Sequence, residues 1–414
     1  MKVLIVLDHM PLIPAFMQSN LQYAKDVFDA CYYINTRKPS NGVVAEEYGV
    51  IICNPSSFQS KIDLVKGLFA LMKPDVVSQI IKCISKKGLK TQYLRSLLAW
   101  MAADCKTRPI AEQIIRKHTN DEITLLSTWL GACSYTNAKL KEKYSFIKSV
   151  SLAHSYEVLV SRDGFIPYYF IDYRHKHLDG VYFISKKIRE CYFDGVGQLK
   201  QEYKDKTHVC YLGTYKVHDV LNKKNDQHSF HICTCSRMVP LKRIHLLIDA
   251  LKKWKVCKIC WTHIGDGPLY DTLFKEAKEV IKENNLVDIH FMGRMSNNEV
   301  KQFYEDNPID LFINLSSIEG IPVSIMEAIS YGIPVIATDV GGTSEIVTKE
   351  TGFLIPADIN YEDVIASLLN YYNLSDIQKG NLRLAAYDFW KVHFDAKSNL
   401  KSFYQSVDSI KTNS

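Results

Sequence analysis

The sequence has no long apolar run, no two cysteine pairs at zinc spacing and no glycine-rich dinucleotide fingerprint, and each absence excludes a class of protein. No stretch of about 18 or more apolar residues occurs, so no membrane-spanning helix is expected. The apolar run after Lys2 is only five residues long and is followed by Asp8, which favours a buried first strand over a signal peptide. We therefore expect a cytoplasmic protein.

The 11 cysteines are odd in number and lie mostly inside apolar runs, as is typical of reduced, buried thiols. Cys257 and Cys260 form one Cys-x-x-Cys pair without a second pair at zinc spacing, so no metal is expected there. A dinucleotide-dependent dehydrogenase would need Gly-x-Gly-x-x-Gly after a strand, and neither half of the chain has it.

The net charge of +6 is concentrated in one segment, because residues 61–117 hold 12 Lys+Arg and 4 Asp+Glu and leave about −2 for the rest. Within this segment four apolar residues recur at helical spacing: Leu94, Leu97, Leu98 and Met101, with Trp100 beside them. The pattern fits either a solvated helical face or a basic amphipathic surface resting on anionic lipid headgroups. Nucleic acid is not expected as a partner, since no reading motif accompanies the charge.

Short apolar runs alternate with helical patterns along 414 residues, enough for two domains with cores of their own. Strands are predicted in the first half at Val3–Leu7, Ala30–Asn35, Val50–Cys53, Ile123–Ser127, Ser149–Ala153, Gly180–Ile184 and His208–Leu212. In the second half they are predicted at His231–Cys235, Val256–His263, Asp288–Met292, Asp310–Leu315 and Pro334–Thr338. Unalternating apolar strands between helices indicate parallel sheets covered on both faces.

The predicted fold class is therefore α/β, with two doubly wound parallel-sheet domains and a deep cleft between them. The first domain spans residues 1–215 and carries a wholly helical basic insertion at about 56–118. A polar linker, Lys216–His228, separates it from a second domain over residues 229–386. Ligands of such sheets bind beyond the carboxyl ends of the strands, so the residues just after strands are the candidates for a site.

A strand-to-helix loop is predicted at Glu319, Gly320 and Ile321, between the strand ending at Leu315 and a helix from Pro322. Proline is suited to the first helical position. The free amides of the Ile321–Ser324 segment, which includes Val323, would then form a ready anion site for a diphosphate. Gly320 would let the backbone come close to the ligand.

Glu327 stands out because its predicted helix is apolar nearly all round. An unpaired carboxylate in a buried helix costs several kcal/mol, so the side chain needs a partner. Hydroxyl groups of a ligand would serve, and so would a core lysine or backbone amides.

Two cations, Arg237 and Lys242, lie just past a predicted strand, at a loop and a helix start. Cations are unfavourable at the start of a helix because they oppose its dipole. An anion bound between the two cations would remove this penalty. Arginine can hold a phosphate by two hydrogen bonds and lysine adds a point charge. The alternative is an ordinary surface charge group. Arg243 is expected to face solvent.

Five elements of the second half resemble, in order and spacing, the family 4 retaining glycosyltransferases. They are Arg237–Lys242, Gly265–Pro268, Phe291–Met295, the Glu-x7-Glu of Glu319 and Glu327, and Gly341–Val347. In the first half, Ser151–Glu157 and Asp179–Ser185 resemble the exopolysaccharide and capsule branch. The resemblance implies the GT-B fold, in which the last helix (Tyr387–Asp408, within residues 387–414) crosses back onto the first domain.

The resemblance also implies a role for each candidate residue. Arg237 and Lys242 would stabilise the leaving diphosphate with no metal or other cofactor, and Glu327 would accept the ribose hydroxyls. Glu319 would contact hydroxyls of the donor sugar, and His154 would reach that sugar from the first domain. The remaining donor-site positions are Gly265, the backbone around Met295, and Gly320, Ile321, Pro322, Val323 and Ser324. The loop Asp8–Pro14 departs from the family, because it has no glycine where many members have two.

The implied activity is transfer of a sugar, with retention, from a nucleotide-diphosphate sugar to an acceptor hydroxyl. The implied acceptor is a lipid-linked or membrane-proximal glycan of surface polysaccharide synthesis, at the anionic inner face of the plasma membrane. The alternative is a non-catalytic nucleotide-sugar-binding protein of the same fold. A phosphorylase that uses a pyridoxal lysine is disfavoured by the length of the chain. The sequence identifies neither the base nor the sugar nor the acceptor.

Overall fold

The computed structural model describes residues 1–8, 21–35, 46–47, 50–53, 59–87, 91–158, 168–197, 199–216, 218–222 and 229–412. The chain divides into two compact units. The first consists of Met1–Cys210 together with Leu400–Ser414, and the second of Tyr211–Asn399. The predicted glycine-free loop after Asp8 and part of the polar linker lie outside the described residues.

The first unit is built on an eight-stranded sheet, counted over its described residues, with the order β3-β4-β2-β1-β5-β6-β7-β8. Its strands are β1 (Lys2–Asp8), β2 (Ala30–Asn35), β3 (Glu46–Glu47), β4 (Val50–Cys53), β5 (Glu122–Ser127), β6 (Lys148–Ala153), β7 (Gly180–Phe183) and β8 (Thr207–Val209). Adjacent strands are parallel except for β3 and β4. Val3 to Asp8 are buried without alternation, as expected for a central strand covered on both faces.

Helices flank this sheet, and a three-helix insertion follows β4 as predicted. The described helices are α1 (Gln59–Ala70), α2 (Pro74–Lys87), α3 (Thr91–Lys117), α4 (Ala132–Lys143), α5 (Ile171–His177), α6 (Lys186–Val196) and α7 (Gln201–Lys204), with a 3-10 turn at Ser155–Glu157. None of the helices in the described part of the chain has the length and apolar character needed to cross a bilayer.

The apolar stripe of α3 belongs to the core. Leu97, Trp100 and Met101 are buried, and Leu94 and Leu98 are half-buried. The interpretation of this stripe as a lipid-facing surface is therefore wrong, and hydrophobic packing against neighbouring helices explains its spacing.

The second unit contains a six-stranded parallel sheet in its described residues, with the order β11-β10-β9-β12-β13-β14. Its strands are β9 (Phe230–Cys235), β10 (Ile259–Ile264), β11 (Val287–Phe291), β12 (Leu311–Asn314), β13 (Val335–Thr338) and β14 (Gly352–Ile355). Its helices are α8 (Ile244–Lys253), α9 (Tyr270–Glu283), α10 (Asn297–Asp306), α11 (Val323–Ser330), α12 (Tyr361–Tyr372) and α13 (Asp376–His393), with 3-10 turns at Pro240–Lys242 and Thr343–Glu345. The strand order 3-2-1-4-5-6 is that of the doubly wound Rossmann fold.

The single helix expected over Tyr387–Asp408 is in fact two helices. Helix α13 ends at His393, and α14 (Ala396–Ser409) begins after the two non-helical residues Phe394 and Asp395. The carboxylate of Asp395 accepts hydrogen bonds from the Ser398 backbone N–H at 3.3 Å and hydroxyl at 2.7 Å, which caps the new helix. Its carboxyl-terminal part packs in the first unit, where Ser406 Oγ lies 2.9 Å from Tyr182 Oη.

Candidate functional site

The strand order of the second unit reverses between β9 and β12, and the loops that follow these two strands meet there. The Ser317 backbone N–H, after β12, donates to the Leu241 carbonyl, after β9, at 2.8 Å. A crevice at the carboxyl ends of the strands, where the order reverses, is the usual ligand site of such sheets. The two clusters singled out in the sequence therefore lie side by side.

Lys242 and Glu319 form an ion pair across this point. Lys242 Nζ donates to Glu319 Oε1 at 2.5 Å, and Asn314 Nδ2 donates to the same oxygen at 3.2 Å. The two charged side chains are only 20% and 12% exposed. Glu319 is thus held by a cation and an amide, and Asn314 at the end of β12 is a site residue that sequence reasoning missed.

The loop that carries Glu319 is fixed by a second loop, which follows β13. The Gly342 backbone N–H donates to the Gly320 carbonyl at 2.6 Å. Gly341 has a φ of +54°, and a Cβ there would lie 1.8 Å from the carbonyl oxygen of Glu319. Only glycine fits such a close approach at positive φ, which explains the first glycine of the pair after β13.

Helix α11 begins one residue later than predicted. Pro322 is its N-cap and not its first helical residue, and the Pro322 carbonyl accepts from the backbone N–H of Ile325 and Met326. The N–H groups of Val323 and Ser324 in the first turn have no intrahelical acceptor, and Val323 is half-exposed. This helix start therefore presents backbone donors and the positive end of its dipole, as an anion site requires.

A groove of about 980 Å³ lies beside this helix and brings four of the predicted site residues together: Arg237, Gly265, Met295 and Glu327. Asp266, Arg294 and Asn297 also line it. Lys242 lines a smaller adjoining depression, which shares Cys235 and Ser236 with the groove. Arg294 had a sequence signal, because it lies within the Phe291–Met295 motif; Asn297 had none.

Gly265 sits where the loops after β9, β10 and β11 touch. Its φ is +140°, and a Cβ would lie 2.0 Å from the carbonyl oxygen of Ser236. Its N–H donates to the Gly293 carbonyl at 2.8 Å, and the Met238 N–H donates to the Asp266 carbonyl at 2.8 Å. The floor of the groove is therefore backbone packed on backbone.

Glu327 is buried, as the apolar character of α11 predicts, with 8% of its surface exposed. Burial raises the pKa of its carboxyl to about 7, and the positive charge of buried Lys301 on α10 opposes that rise. In the part of the chain that the structure describes, no cationic side chain lies close enough to the Glu327 carboxylate to form an ion pair. The core lysine considered as a partner is therefore nearby but does not neutralise Glu327 by direct contact.

Arg243 is half-buried and bonded to backbone carbonyls, contrary to the expectation that it faces solvent. Its Nε donates to the Leu315 carbonyl at 2.6 Å, and its Nη2 and Nη1 donate to the carbonyls of Ser316 at 3.0 Å and Ala357 at 2.8 Å. Arg243 itself has a left-handed φ of +48°, which turns the chain from the 3-10 turn into α8. Its guanidinium therefore fixes the backbone just after β12, which precedes Glu319.

His154 lies in the first unit, at the carboxyl end of β6. Its ring centroid is 4.5 Å from that of Trp129, which follows β5, and its backbone N–H donates to Glu157 Oε2 at 2.9 Å. Burial lowers the pKa of His154 to about 4, so the imidazole is neutral near pH 7. Burial raises the pKa of Glu157 to about 8. The contact of His154 with a donor sugar stays a prediction.

The sequence of the second unit matches a known family. Residues 218–383 match the family model described as "Glycosyl transferases group 1". An uncharacterised glycosyltransferase of Methanocaldococcus jannaschii is 29% identical over 242 residues, which cover 58% of this chain and 63% of that protein. The O-antigen biosynthesis glycosyltransferase WbnH of Escherichia coli is 33% identical over 147 residues, 35% of this chain and 38% of that protein. The chain thus spans less than two thirds of the length of these relatives.

Solved structures match over nearly the whole chain. Anabaena HepE in complex with UDP aligns with a TM-score of 0.67 at 15% identity, covering 99% of this chain and 100% of that one. An Escherichia coli trehalose-6-phosphate protein bound with UDP-2-fluoro glucose aligns with a TM-score of 0.70 at 11% identity, covering 99% and 100%. At such identities the likeness establishes the fold. The chain has the two-domain, Rossmann-like GT-B fold, and its residues 218–383 match the glycosyl transferases group 1 model.

Proposed function

We propose that the protein is a retaining glycosyltransferase that moves a sugar from a nucleotide-diphosphate sugar to an acceptor hydroxyl in surface polysaccharide synthesis. The observation that carries this proposal is the Lys242–Glu319 pair, which joins the loop after β9 to the loop leading into α11 where the strand order reverses, beside the groove lined by Arg237. Relatives named for O-antigen and colanic acid biosynthesis support the polysaccharide assignment. HepE, solved with UDP, supports a nucleotide as part of the ligand.

The proposed chemistry needs positive charge where the diphosphate leaves. The bond between the anomeric carbon and the phosphate oxygen breaks, a bond to the acceptor oxygen forms, and the acceptor proton passes to the departing diphosphate. Lys242, Arg237 and the free amides of α11 would stabilise the developing charge, which is the largest contribution in many enzymes. No metal is needed for this step, because these groups already supply the positive charge.

The donor would lie along the groove, with its ribose hydroxyls hydrogen-bonded to Glu327 and its base against the backbone near Met295. Glu319 would contact hydroxyls of the donor sugar. Its carboxylate is already bonded to Lys242 and Asn314, so it is not arranged as a free nucleophile. Departure and attack on the same face of the sugar therefore fit better than a double displacement through Glu319.

A transfer assay tests the proposal. Purified protein is incubated with radiolabelled UDP-, GDP- and ADP-sugars and a lipid extract, and the anomeric configuration of the product is read by NMR. We expect one donor to support transfer with retention. Nucleotide binding by thermal shift without any transfer would favour the non-catalytic alternative, and inversion would overturn the stereochemistry.

We further propose that the enzyme works at an anionic membrane surface. The support for this is a stripe on α1 and the turn after it, where four apolar side chains at helical spacing are about half or more exposed: Val65, Leu68 and Phe69 on the helix and Met72 in the turn. Gly67 and Ala70 on the other face of α1 are buried, and Gly67 packs against Ala102. This stripe lies in the +8 segment 61–117, so apolar insertion and attraction to anionic headgroups would act together.

Vesicle co-sedimentation tests the membrane surface. Phe69→Ser with Met72→Ser should weaken binding to phosphatidylglycerol-containing vesicles about tenfold or more, since burying each such side chain contributes about 1.5–3 kcal/mol. Ile377→Ser removes an equally exposed apolar side chain from the second unit and is the control. Binding that is unchanged in the double variant, or equal on neutral vesicles, would contradict the proposed surface.

A further inference from the structure

The outer strands of the second sheet carry three metal-ligating side chains on one face. Asp288 and His290 are two residues apart on β11, so both point to the same side of the sheet. Cys260 on β10 is paired directly with Asp288 in the strand register. The opposite face of the same strands, with Ile259, Trp261 and Ile289, is buried in the core.

The ligand atoms of these three residues are close enough to share one ion. Cys260 Sγ, a carboxylate oxygen of Asp288 and a ring nitrogen of His290 all lie within 4.8 Å of one another. His290 Nε2 and Asp288 Oδ2 are 2.9 Å apart. In a tetrahedral zinc site, bond lengths of 2.0–2.3 Å place neighbouring ligand atoms about 3.3–3.6 Å apart, so only small side-chain rotations separate this arrangement from a coordination shell.

The surroundings leave room for a fourth ligand. The three residues line an open depression together with Thr262 and His231 on the same face of the sheet. Asp288 and His290 are exposed and Cys260 is half-buried, so an ion can reach them from solvent. His231 is engaged with the Pro308 carbonyl at 2.7 Å and Thr262 Oγ1 at 3.0 Å, which leaves a water as the fourth ligand.

We propose that Cys260, Asp288 and His290 form a binding site for a divalent transition metal of the zinc class. Zinc accepts a thiolate, an imidazole and a carboxylate together, whereas calcium and magnesium prefer oxygen ligands and are disfavoured by the thiolate and the imidazole. Binding replaces the thiol proton of Cys260, so one proton is released for each ion bound. The ion would join edge strand β11 to β10, and none of the three residues lines the groove of Arg237 and Glu327.

This proposal differs from the expectation drawn from the cysteine spacing, which stays untested. The Cys-x-x-Cys pair places Cys257 before β10, and Cys257 is not part of the cluster. The partners of Cys260 come from the next strand, 28 and 30 residues along the chain, so no local spacing motif could reveal them.

Cobalt titration of the full-length, reduced protein tests the site. Co²⁺ should bind with one equivalent and give a thiolate-to-metal charge-transfer band in the near ultraviolet, which Zn²⁺ then removes. Cys260→Ser should abolish the band, while Cys257→Ser, the neighbouring cysteine, should keep it. His290→Ala should weaken binding by at least about tenfold, since even outer-shell changes cost 10–100-fold.

The result that would overturn the proposal is a band that survives in Cys260→Ser, or a titration that does not saturate at one equivalent. Thermal unfolding without metal should be similar for wild type and both serine variants, which separates loss of the site from loss of the fold. Thermal shift with UDP should also be unchanged in Cys260→Ser. The metal site and the proposed transfer activity can therefore fail independently.

Discussion

Lys242 Nζ lies 2.5 Å from Glu319 Oε1, so two of the charges proposed to contact a donor are paired with each other. An incoming diphosphate would compete with Glu319 for the lysine. Asn314 would keep its hydrogen bond to Glu319 Oε1, so the carboxylate would stay oriented as an acceptor for the sugar hydroxyls.

Removing Lys242 should abolish this exchange. We expect Lys242→Ala to reduce transfer by about 100-fold or more, since a charge-stabilising donor at the leaving group is lost. Lys252→Ala, which removes an exposed lysine of α8 paired with Glu283, is the matched control. Initial rates at saturating donor measure the effect, and near wild-type turnover in Lys242→Ala would refute the assignment.

Glu327 should make stability depend on pH. Burial raises the pKa of its carboxyl from 4.5 to about 7, so the folded protein holds this proton more tightly than the unfolded chain. The stabilisation is complete below about pH 4.5 and is lost as the pH rises through about 7. Glu327→Gln should therefore gain about 2–3 kcal/mol relative to wild type between pH 5 and pH 8.

Denaturant unfolding at both pH values measures this difference, and Glu279→Gln on the exposed face of α9 is the control. A Glu327→Gln variant that loses stability at pH 8 would instead mean that Lys301 compensates the carboxylate. The same variant should bind UDP more weakly, because an amide is a poorer acceptor for the ribose hydroxyls.

Gly341 should tolerate no side chain. Its Cβ would lie 1.8 Å from the Glu319 carbonyl oxygen, so Gly341→Ala must displace the loop as well as strain φ. We expect a loss of about 2–4 kcal/mol in unfolding free energy and a weaker thermal shift with UDP. Gly197 also has a positive φ, but an added Cβ would meet nothing within 4 Å, so Gly197→Ala measures the backbone strain alone and should cost about 1–3 kcal/mol.

Substitution of Arg243 should lower the stability of the protein, whereas substitution of Arg237 should weaken nucleotide binding. Arg243→Ala leaves three carbonyls without their cationic donor and should lower the unfolding free energy by about 2–4 kcal/mol. Arg237 is exposed in the groove, so Arg237→Ala should weaken UDP binding at little cost in stability. Differential scanning fluorimetry with and without UDP reads both effects, and the opposite pattern would exchange their roles.

The parallel sheets could be predicted because buried central strands are apolar without alternation, as at Leu311–Asn314. The carboxyl-end rule then located the candidate site, and the apolar surroundings of Glu327 marked it as unusual. The Lys242–Glu319 pair could not be predicted, since it joins residues 77 positions apart through the shapes of two loops. The contacts of Arg243 likewise could not be predicted, since its guanidinium bonds carbonyls that are distant in the sequence.

The helical insertion shows a further limit. Val65, Leu68, Phe69 and Met72 have the same spacing as Leu94, Leu97, Leu98 and Met101, yet only the second set is covered by neighbouring helices. Periodicity identifies an apolar face but does not say what covers it. For that reason the stripe chosen from the sequence belonged to the core.

The contact of Gly265 with the Ser236 carbonyl has a consequence for altering the protein by selection. Because the floor of the groove there is formed by backbone packed on backbone, its shape does not depend on the side chains that line it. A library of variants at Asp266, Arg294 and Asn297 could therefore be screened for altered donor preference without changing the backbone of the groove. Randomising Gly265 itself would return mostly misfolded clones.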